Sequence, residues 1–340
     1  MIAYDRADRH TTDALEIISR RSVETMKGPI DEETLHHARR ALVDWTGLTL
    51  AGLREAPVRK LHGALTCGDP KLPFAVDAVD RMSFNNAALL LGMASHVLDY
   101  DDTDPVNLVH CSSTLFPALF AASTQHRMTG AALVRGAIVG FEAESRLGET
   151  FGRPLTASGW HVTGVLGHIG AALAASAAIG ADADVARNAM GISATAASGL
   201  IAAFGTMSKA LQVGRAAADG TLAAVLARDG FTGPIACLDG SGAFSKPFID
   251  RVVEDWSGIE ERWGTPYAIG RNAFKPHASC MITHASIDAA AGVRTQLADK
   301  GIAVEALDSV RARDARPLRR RHDSGRADHR IAQETRDRRG

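Results

Sequence analysis

Apolar residues return at helical spacing along most of this chain. In HHARRALVDWTGLTLAG, Ala41, Leu42, Trp45 and Leu48 share one face and Gly52 ends the pattern, which predicts a buried amphipathic helix after the start signal GPIDEET. A less regular stretch through Pro57, Pro70 and Pro73 leads into FNNAALLLGMASHVLDYDD, where Asn85 or Asn86 is placed to cap a helix ending near Tyr100. Residues 115–150 and 162–204 are rich in Ala, Gly, Leu and Ile without strict alternation, so closely packed helices are predicted over strands. TLAAVLARDG adds a helix stopped by Gly230.

Near residue 265 the texture changes. TPYAIGRNAFKPHASCMITHAS reads as a short extended segment and a loop leading into a helix at roughly 282–299, and GIAVEALDSV alternates like a strand. The predicted fold class is mainly α: a large all-helical domain over residues 1–264, followed by the start of a smaller α/β lid domain over 265–310. Residues 311–340 hold eleven Arg and no Lys or aromatic residue, too little apolar surface to offset the entropy of ordering, so a disordered tail is expected. A translated frameshift in a GC-rich gene gives such a composition and is the preferred explanation of it.

Composition narrows the function. The 340 residues carry 38 Lys and Arg against 39 Asp and Glu, so no global field favours nucleic acid or an anionic membrane as partner. The start, MIAYDRADRHTTD, lacks a hydrophobic signal core, and no apolar run is long enough to span a bilayer; a cytoplasmic protein is expected. Cys67, Cys111, Cys237 and Cys280 are scattered without CxxC pairs, which fits reduced thiols better than a zinc knuckle or a disulfide scaffold.

Four segments carry candidate chemistry. If the helix runs on through SHVLDYDDTD, then His96, Asp99 and Thr103 lie along one face and share a pocket wall, with His110 following on the loop side. The cluster also admits a plain helix end with solvated carboxylates, or a magnesium site like the aspartate-rich motif of isoprenoid synthases; no second acidic motif supports the metal. In SGWHVTGVLGHIGAALAAS, His161 falls at a helix start beside exposed amides suited to a carboxylate, whereas His168 reads as a packed core histidine. In GTMSKALQVGRAA, Lys209 and Arg215 stand among apolar neighbours, so a partly desolvated, substrate-facing Lys209 is expected. In FKPHASCMITHAS, Lys275, His277, Cys280 and His284 gather at a domain junction, with too few ligands for zinc.

Taken in order, ALVDWTGLTLAG, SHVLDYDDTD with His110, GWHVTGVLGHIGAALAAS, GTMSKALQVGRAA and KPHASCMITHASIDAA resemble the MmgE/PrpD family over about residues 10–305. That family contains 2-methylcitrate dehydratases, cis-aconitate decarboxylases and iminodisuccinate epimerases. The resemblance implies a large helical domain with an α/β lid, a homodimer, no metal or organic cofactor, and a longer chain that completes the lid. It places pocket positions at Asp99, Thr103, His110, His161, Lys209 and Lys275. His110 or His161 is expected to act as base and acid, Lys209, Lys275 and Arg215 to hold carboxylates, Asp99 to orient a histidine, and Asp101, Asp102 and Asp104 to shape the turn or face water. In the decarboxylase branch a histidine lies five residues beyond the lysine matching Lys275; here Cys280 stands there as a candidate catalytic residue, with His277, also a candidate for substrate binding, and His284 as possible substitutes. The expected activity is a dehydratase-type lyase on a small di- or tricarboxylate such as 2-methylcitrate. The alternatives are an epimerase, a decarboxylase, or a non-catalytic remnant.

Overall fold

The computed structural model describes residues 13–66, 82–238, 243–307 and 309. The expectations placed on the Arg-rich segment 311–340 lie outside the described residues. Those residues form two units, the first ending at His284 and the second beginning at Ala285.

The first unit is helical, as its hydrophobic spacing predicts. Its main helices are α1 (Ala14–Lys27), α2 (Glu32–Gly52), α3 (Ala56–Leu65), α4 (Phe84–His96), α5 (Ser112–Gln125), α6 (Gly130–Ala157), α7 (Val162–Ala178), α8 (Ala183–Ala196) and α9 (Ser208–Arg228). Short helices α10 (Ser245–Ile249) and α11 (Ser257–Arg262) follow. Side-chain oxygens of Asp13, Asp31, Ser83, Thr129 and Asp182 accept N–H groups at the first turns of α1, α2, α4, α6 and α8. Such caps satisfy donors that helix geometry leaves open. The cap of α4 is therefore Ser83 rather than Asn85 or Asn86, because Ser83 stands three residues before the amide it accepts, that of Asn86 at 3.3 Å.

At the centre runs α7, every residue of which is buried. Its Ala and Gly content explains why it can be surrounded: Ala172 and Ala175 pack with Ala189 of α8 and with Ala223, Ala224 and Ala227 of α9, letting backbones approach closely. Larger side chains fill the other side, where Leu115, Phe116 and Leu119 of α5 and Ile138, Phe141 and Leu147 of α6 are fully buried or nearly so. Trp45 of α2 closes this region, its ring 5.5 Å from Phe116 and 5.1 Å from Phe120. Among the described residues, no helix is long and apolar enough to cross a membrane.

The second unit consists of the helix that begins at His284, α12 (His284–Asp299), followed by a 3₁₀ turn at Val304–Ala306. Among the described residues of GIAVEALDSV, where a strand is expected, Val304–Ala306 form that turn, the Ala306 N–H bonding the carbonyl of Ala303 three residues back along its own chain.

Candidate functional site

The expected helical face through His96, Asp99 and Thr103 does not form. Helix α4 stops at His96, and Asp99 takes a left-handed conformation, φ 50°, which breaks the turn. An aspartate there costs of order 1 kcal/mol and persists only when surroundings hold it. Here Lys275 holds it, donating from Nζ to both the Asp99 carbonyl oxygen and its carboxylate Oδ1, each at 2.8 Å. Lys209, at the start of α9, brings its own ammonium to the same Oδ1 at 3.1 Å. Burial works against the Asp99 charge, but the two lysines outweigh it and hold the carboxyl below its ordinary range. Asp99 thus binds lysines, not a histidine.

The segment carrying Lys275 is fixed to the acidic loop by paired backbone bonds, Thr103 N–H to the Ala273 carbonyl at 3.0 Å and Ala273 N–H to the Thr103 carbonyl at 2.9 Å. The Thr103 hydroxyl donates to the Val109 carbonyl at 3.3 Å, so this residue stitches the loop together.

The remaining acids of the loop are buried and partnered; of the two roles expected of them, shaping the turn or facing water, the second does not hold. Asp101 accepts from the Ser113 hydroxyl at 2.7 Å, and its Oδ2 lies 2.7 Å from His96 Nδ1 and 3.4 Å from His110 Nδ1. Burial opposes its ionisation, and the imidazoles with Lys275 overcome this, keeping it well below the usual carboxylate range. Asp102 accepts from Ser112 and Asn272 at 2.5 and 2.6 Å, yet burial pushes its carboxyl up to about 7. Asp104 accepts from Asn107 Nδ2 at 2.8 Å and from Arg271 at 2.9 Å. The identity of an acid does not reveal such partners: Asn272 and Arg271 are remote in sequence, and helix α5 turns Ser112 and Ser113 toward the loop.

Three imidazoles assemble around this charge system. The His96 ring centroid lies 5.0 Å from that of His110 and 5.9 Å from that of His161. His161 is the residue before α7, as its position in SGWHV predicts, and its Nδ1 lies 2.9 Å from Gln212 Oε1. Phe204 stands edge-on to His161 at 5.1 Å and under the Lys209 ammonium at 5.2 Å. Burial pulls His110 down to about 4, against the pull of Asp101 in the other direction, and pulls His161 down to about 3 with help from His96. Both rings are neutral at pH 7.

His96, Asp101 and His110 are the described group whose donor atoms fall within 4.8 Å of one another, and so the group to test for a cation. Its geometry is that of a hydrogen-bonded cluster. The His110 Nδ1 lies 2.9 Å from the Asp102 carbonyl, which can only accept, so that nitrogen carries hydrogen and offers no lone pair to a metal. The Lys275 ammonium already faces Asp101 Oδ1 at 3.9 Å.

The structure brings Asp99, Lys209 and Lys275 into direct contact and sets His110 and His161 around His96. Arg215 lies elsewhere on α9, half exposed and paired with Asp219 at 3.1 Å. His277 packs edge-on against His284 at 5.2 Å, and the Cys280 carbonyl accepts from Thr283 in the turn before α12. His168 is fully buried, with Nδ1 donating to the Gly164 carbonyl at 2.6 Å, as a core histidine should. Sequence reasoning gave Asp101 no part beside the histidines and did not single out Gln212 at all. The spacing of Gln212, one helical turn after Lys209, was the signal available for it.

Residues 19–253 match the family described as MmgE/PrpD N-terminal domain. A cis-aconitate decarboxylase-like protein oryM from Aspergillus oryzae is 30% identical over 301 residues, covering 83% of this chain and 61% of that protein. Cis-aconitate decarboxylase from Aspergillus terreus is 32% identical over 223 residues, covering 61% of this chain and 44% of the relative. The Homo sapiens enzyme of the same name is 31% identical over 232 residues, covering 64% and 46%. The chain therefore spans between roughly two fifths and three fifths of the length of these relatives.

Proposed function

The chain belongs to the MmgE/PrpD family, and from that premise we propose that it acts as a lyase on a small di- or tricarboxylate, breaking a bond next to a carboxylate. One observation carries the reading: two ammonium groups, Lys209 and Lys275, converge on a single carboxylate oxygen beside two neutral imidazoles. A site that already holds one carboxylate between two lysines has the charge to receive another in competition with Asp99.

The chemistry follows from the charge balance. When a neutral histidine takes a proton from the carbon next to a carboxylate, the C–H electron pair spreads into an enolate-like state with added negative charge. Fixed ammonium groups stabilise that charge without reorganising, an effect commonly worth a factor of 10²–10³ per donor. In dehydration the pair then forms the C=C bond, and the hydroxyl leaves with a proton as water. The imidazolium formed in the first step is a suitable donor of that proton.

Dehydration of a 2-methylcitrate-like acid is the first form of the proposal. Decarboxylation is the second, favoured by the names of the relatives: there the C–C pair stays on carbon as carbon dioxide departs, and a histidine supplies the proton. The resemblance places a histidine at this position in the decarboxylase branch, and Cys280 stands there instead, which ranks dehydration ahead.

The test is to incubate the full chain with 2-methylcitrate, cis-aconitate and iminodisuccinate in turn, following water loss by absorbance of the new double bond, carbon dioxide release, and optical rotation. Turnover by bond cleavage, lost on exchange of Lys209 for Ala, is expected. Racemisation alone, or undiminished turnover in that variant, overturns the lyase assignment.

A further inference from the structure

We infer that Gln212 is a positioning residue, which fixes His161 in the tautomer with hydrogen on Nδ1 so that Nε2 carries the lone pair used as base. This rests on the proton-transfer reading above and deepens it.

The assignment follows from what each atom is able to do. The Leu200 carbonyl can only accept, and Gln212 Nε2 lies 3.2 Å from it, so the amide turns its NH₂ group that way. Its oxygen therefore faces His161 Nδ1 at 2.9 Å. An amide oxygen cannot donate, which leaves Nδ1 as the protonated nitrogen. An isolated neutral imidazole prefers hydrogen on Nε2, so the contact selects the less common form.

The surrounding backbone is shaped for this contact. The His161 N–H donates to the Gly199 carbonyl at 3.0 Å, and the Ile201 N–H donates to the Gly159 carbonyl at 2.9 Å, tying the Leu200 segment to the start of α7. Gly199 has φ 136°, and a Cβ there would come 3.3 Å from Gln212 Oε1, so the residue touching the amide is one whose conformation and bulk favour glycine. On α9, Gln212 lies three residues after Lys209, which places both side chains on one face. One helical turn thus delivers the ammonium that binds Asp99 and the amide that orients the histidine. His110 matches it, since the Asp102 carbonyl at 2.9 Å requires hydrogen on Nδ1 there as well. The charged and titratable groups that bear on His161 are His96, His110 and Lys209, and each opposes its protonation.

A merely structural Gln212 would join α9 to the Leu200 segment and leave the tautomer unaffected. The two roles separate in long-range ¹H–¹⁵N correlation spectra of the full chain with ¹⁵N-labelled histidine rings, His161 being assigned by loss of its signals in His161→Gln. The wild type should show hydrogen on Nδ1. In Gln212→Leu the Nε2–H form should become the major one, and kcat should fall tenfold or more with KM within threefold. Gln212→Glu keeps the shape but sets a carboxylate beside Nδ1–H, so the acid limb of the pH–rate profile should move up by at least one unit. That variant serves as the readout if Gln212→Leu does not fold. A wild-type His161 with hydrogen on Nε2, an unchanged tautomer in Gln212→Leu, or an unmoved acid limb in Gln212→Glu overturns the inference. The spectra need no substrate, so a chain with the expected tautomer that turns over none of the acids counts against the lyase reading alone.

Discussion

Asp99 and its two lysines show how unequal two identical charges can be. The Lys275 side chain is fully buried and donates to the Asp99 backbone as well as its carboxylate, whereas Lys209 touches only the carboxylate and keeps some exposure. Removing Lys275 leaves a half-buried carboxylate in a left-handed backbone without its main restraint; breaking a buried pair costs about 3–5 kcal/mol, and the exposure of Asp99 places the loss at the lower end. Removing Lys209 leaves Asp99 still paired. Lys275→Met should therefore lower both the urea midpoint and activity, while Lys209→Ala should lower kcat/KM by about 10²–10³ with little change in the midpoint. Equal midpoint losses in the two variants would contradict this division of roles. At this scale the sequence singled out Asp99, Lys209 and Lys275 as candidates but did not show that they touch. Lys209 stood out because its neighbours are apolar, whereas the burial of Asp101 and Asp102 depends on Ser112, Ser113 and Asn272, whose positions only the folded chain brings together.

Elements were legible where the pattern repeats over several turns. Helix α2 ends at Gly52 and α9 stops just before Gly230, as their sequences suggest, and the Ala- and Gly-rich segment 162–178 is a closely packed helix, α7, as its composition predicts. The end of α4 was not legible, because a strained aspartate held by a lysine far along the chain terminates it. Close packing between α4 and α9 gives a sharper prediction. A Cβ on Gly214 would lie 2.3 Å from the Leu89 carbonyl oxygen, and one on Gly92 would lie 2.8 Å from the Gly214 Cα, so both helices meet at their backbones. Because backbone cannot step aside as a side chain can, Gly214→Ala should force the helices apart at a cost of about 1–3 kcal/mol. Helix α9 also presents Lys209 and Gln212 at its start, so the same substitution should reduce activity beyond its effect on the folded fraction. Denaturant unfolding and kcat, measured on the same preparation, check both parts; a midpoint equal to wild type would show that the helices can absorb a methyl group.

Across the whole molecule, the buried ionisable groups set how stability depends on pH, and they pull in opposite directions. Burial pushes Glu144 up to about 8, although Thr114 donates to it at 2.7 Å, and pushes Asp102 up to about 7. Such a carboxyl keeps its proton in the folded chain at pH values where the unfolded chain has lost it. Its contribution is therefore complete below the ordinary carboxylate range and is lost as pH rises toward the folded value, at up to about 1.4 kcal/mol per pH unit for each group. The histidines act on the other side. His110 and His161 stay neutral in the fold down to about 4 and 3, while the unfolded chain protonates them below about 6.5, so their contribution is lost as pH falls through that window. Between pH 4.5 and 6.5 the two sets oppose one another and the profile should be shallow. From pH 6.5 to 8 the unfolded histidines lose their remaining charge, so the carboxyls come to dominate and stability should fall. Replacing Glu144 by Gln keeps the shape and the acceptor for Thr114 but removes the titration, so that variant should lose distinctly less stability over this interval than the wild type. Urea unfolding at pH 6.5, 7.2 and 8.0 measures the difference directly, and parallel slopes for the two proteins would mean that Glu144 is ionised in the folded chain at neutral pH.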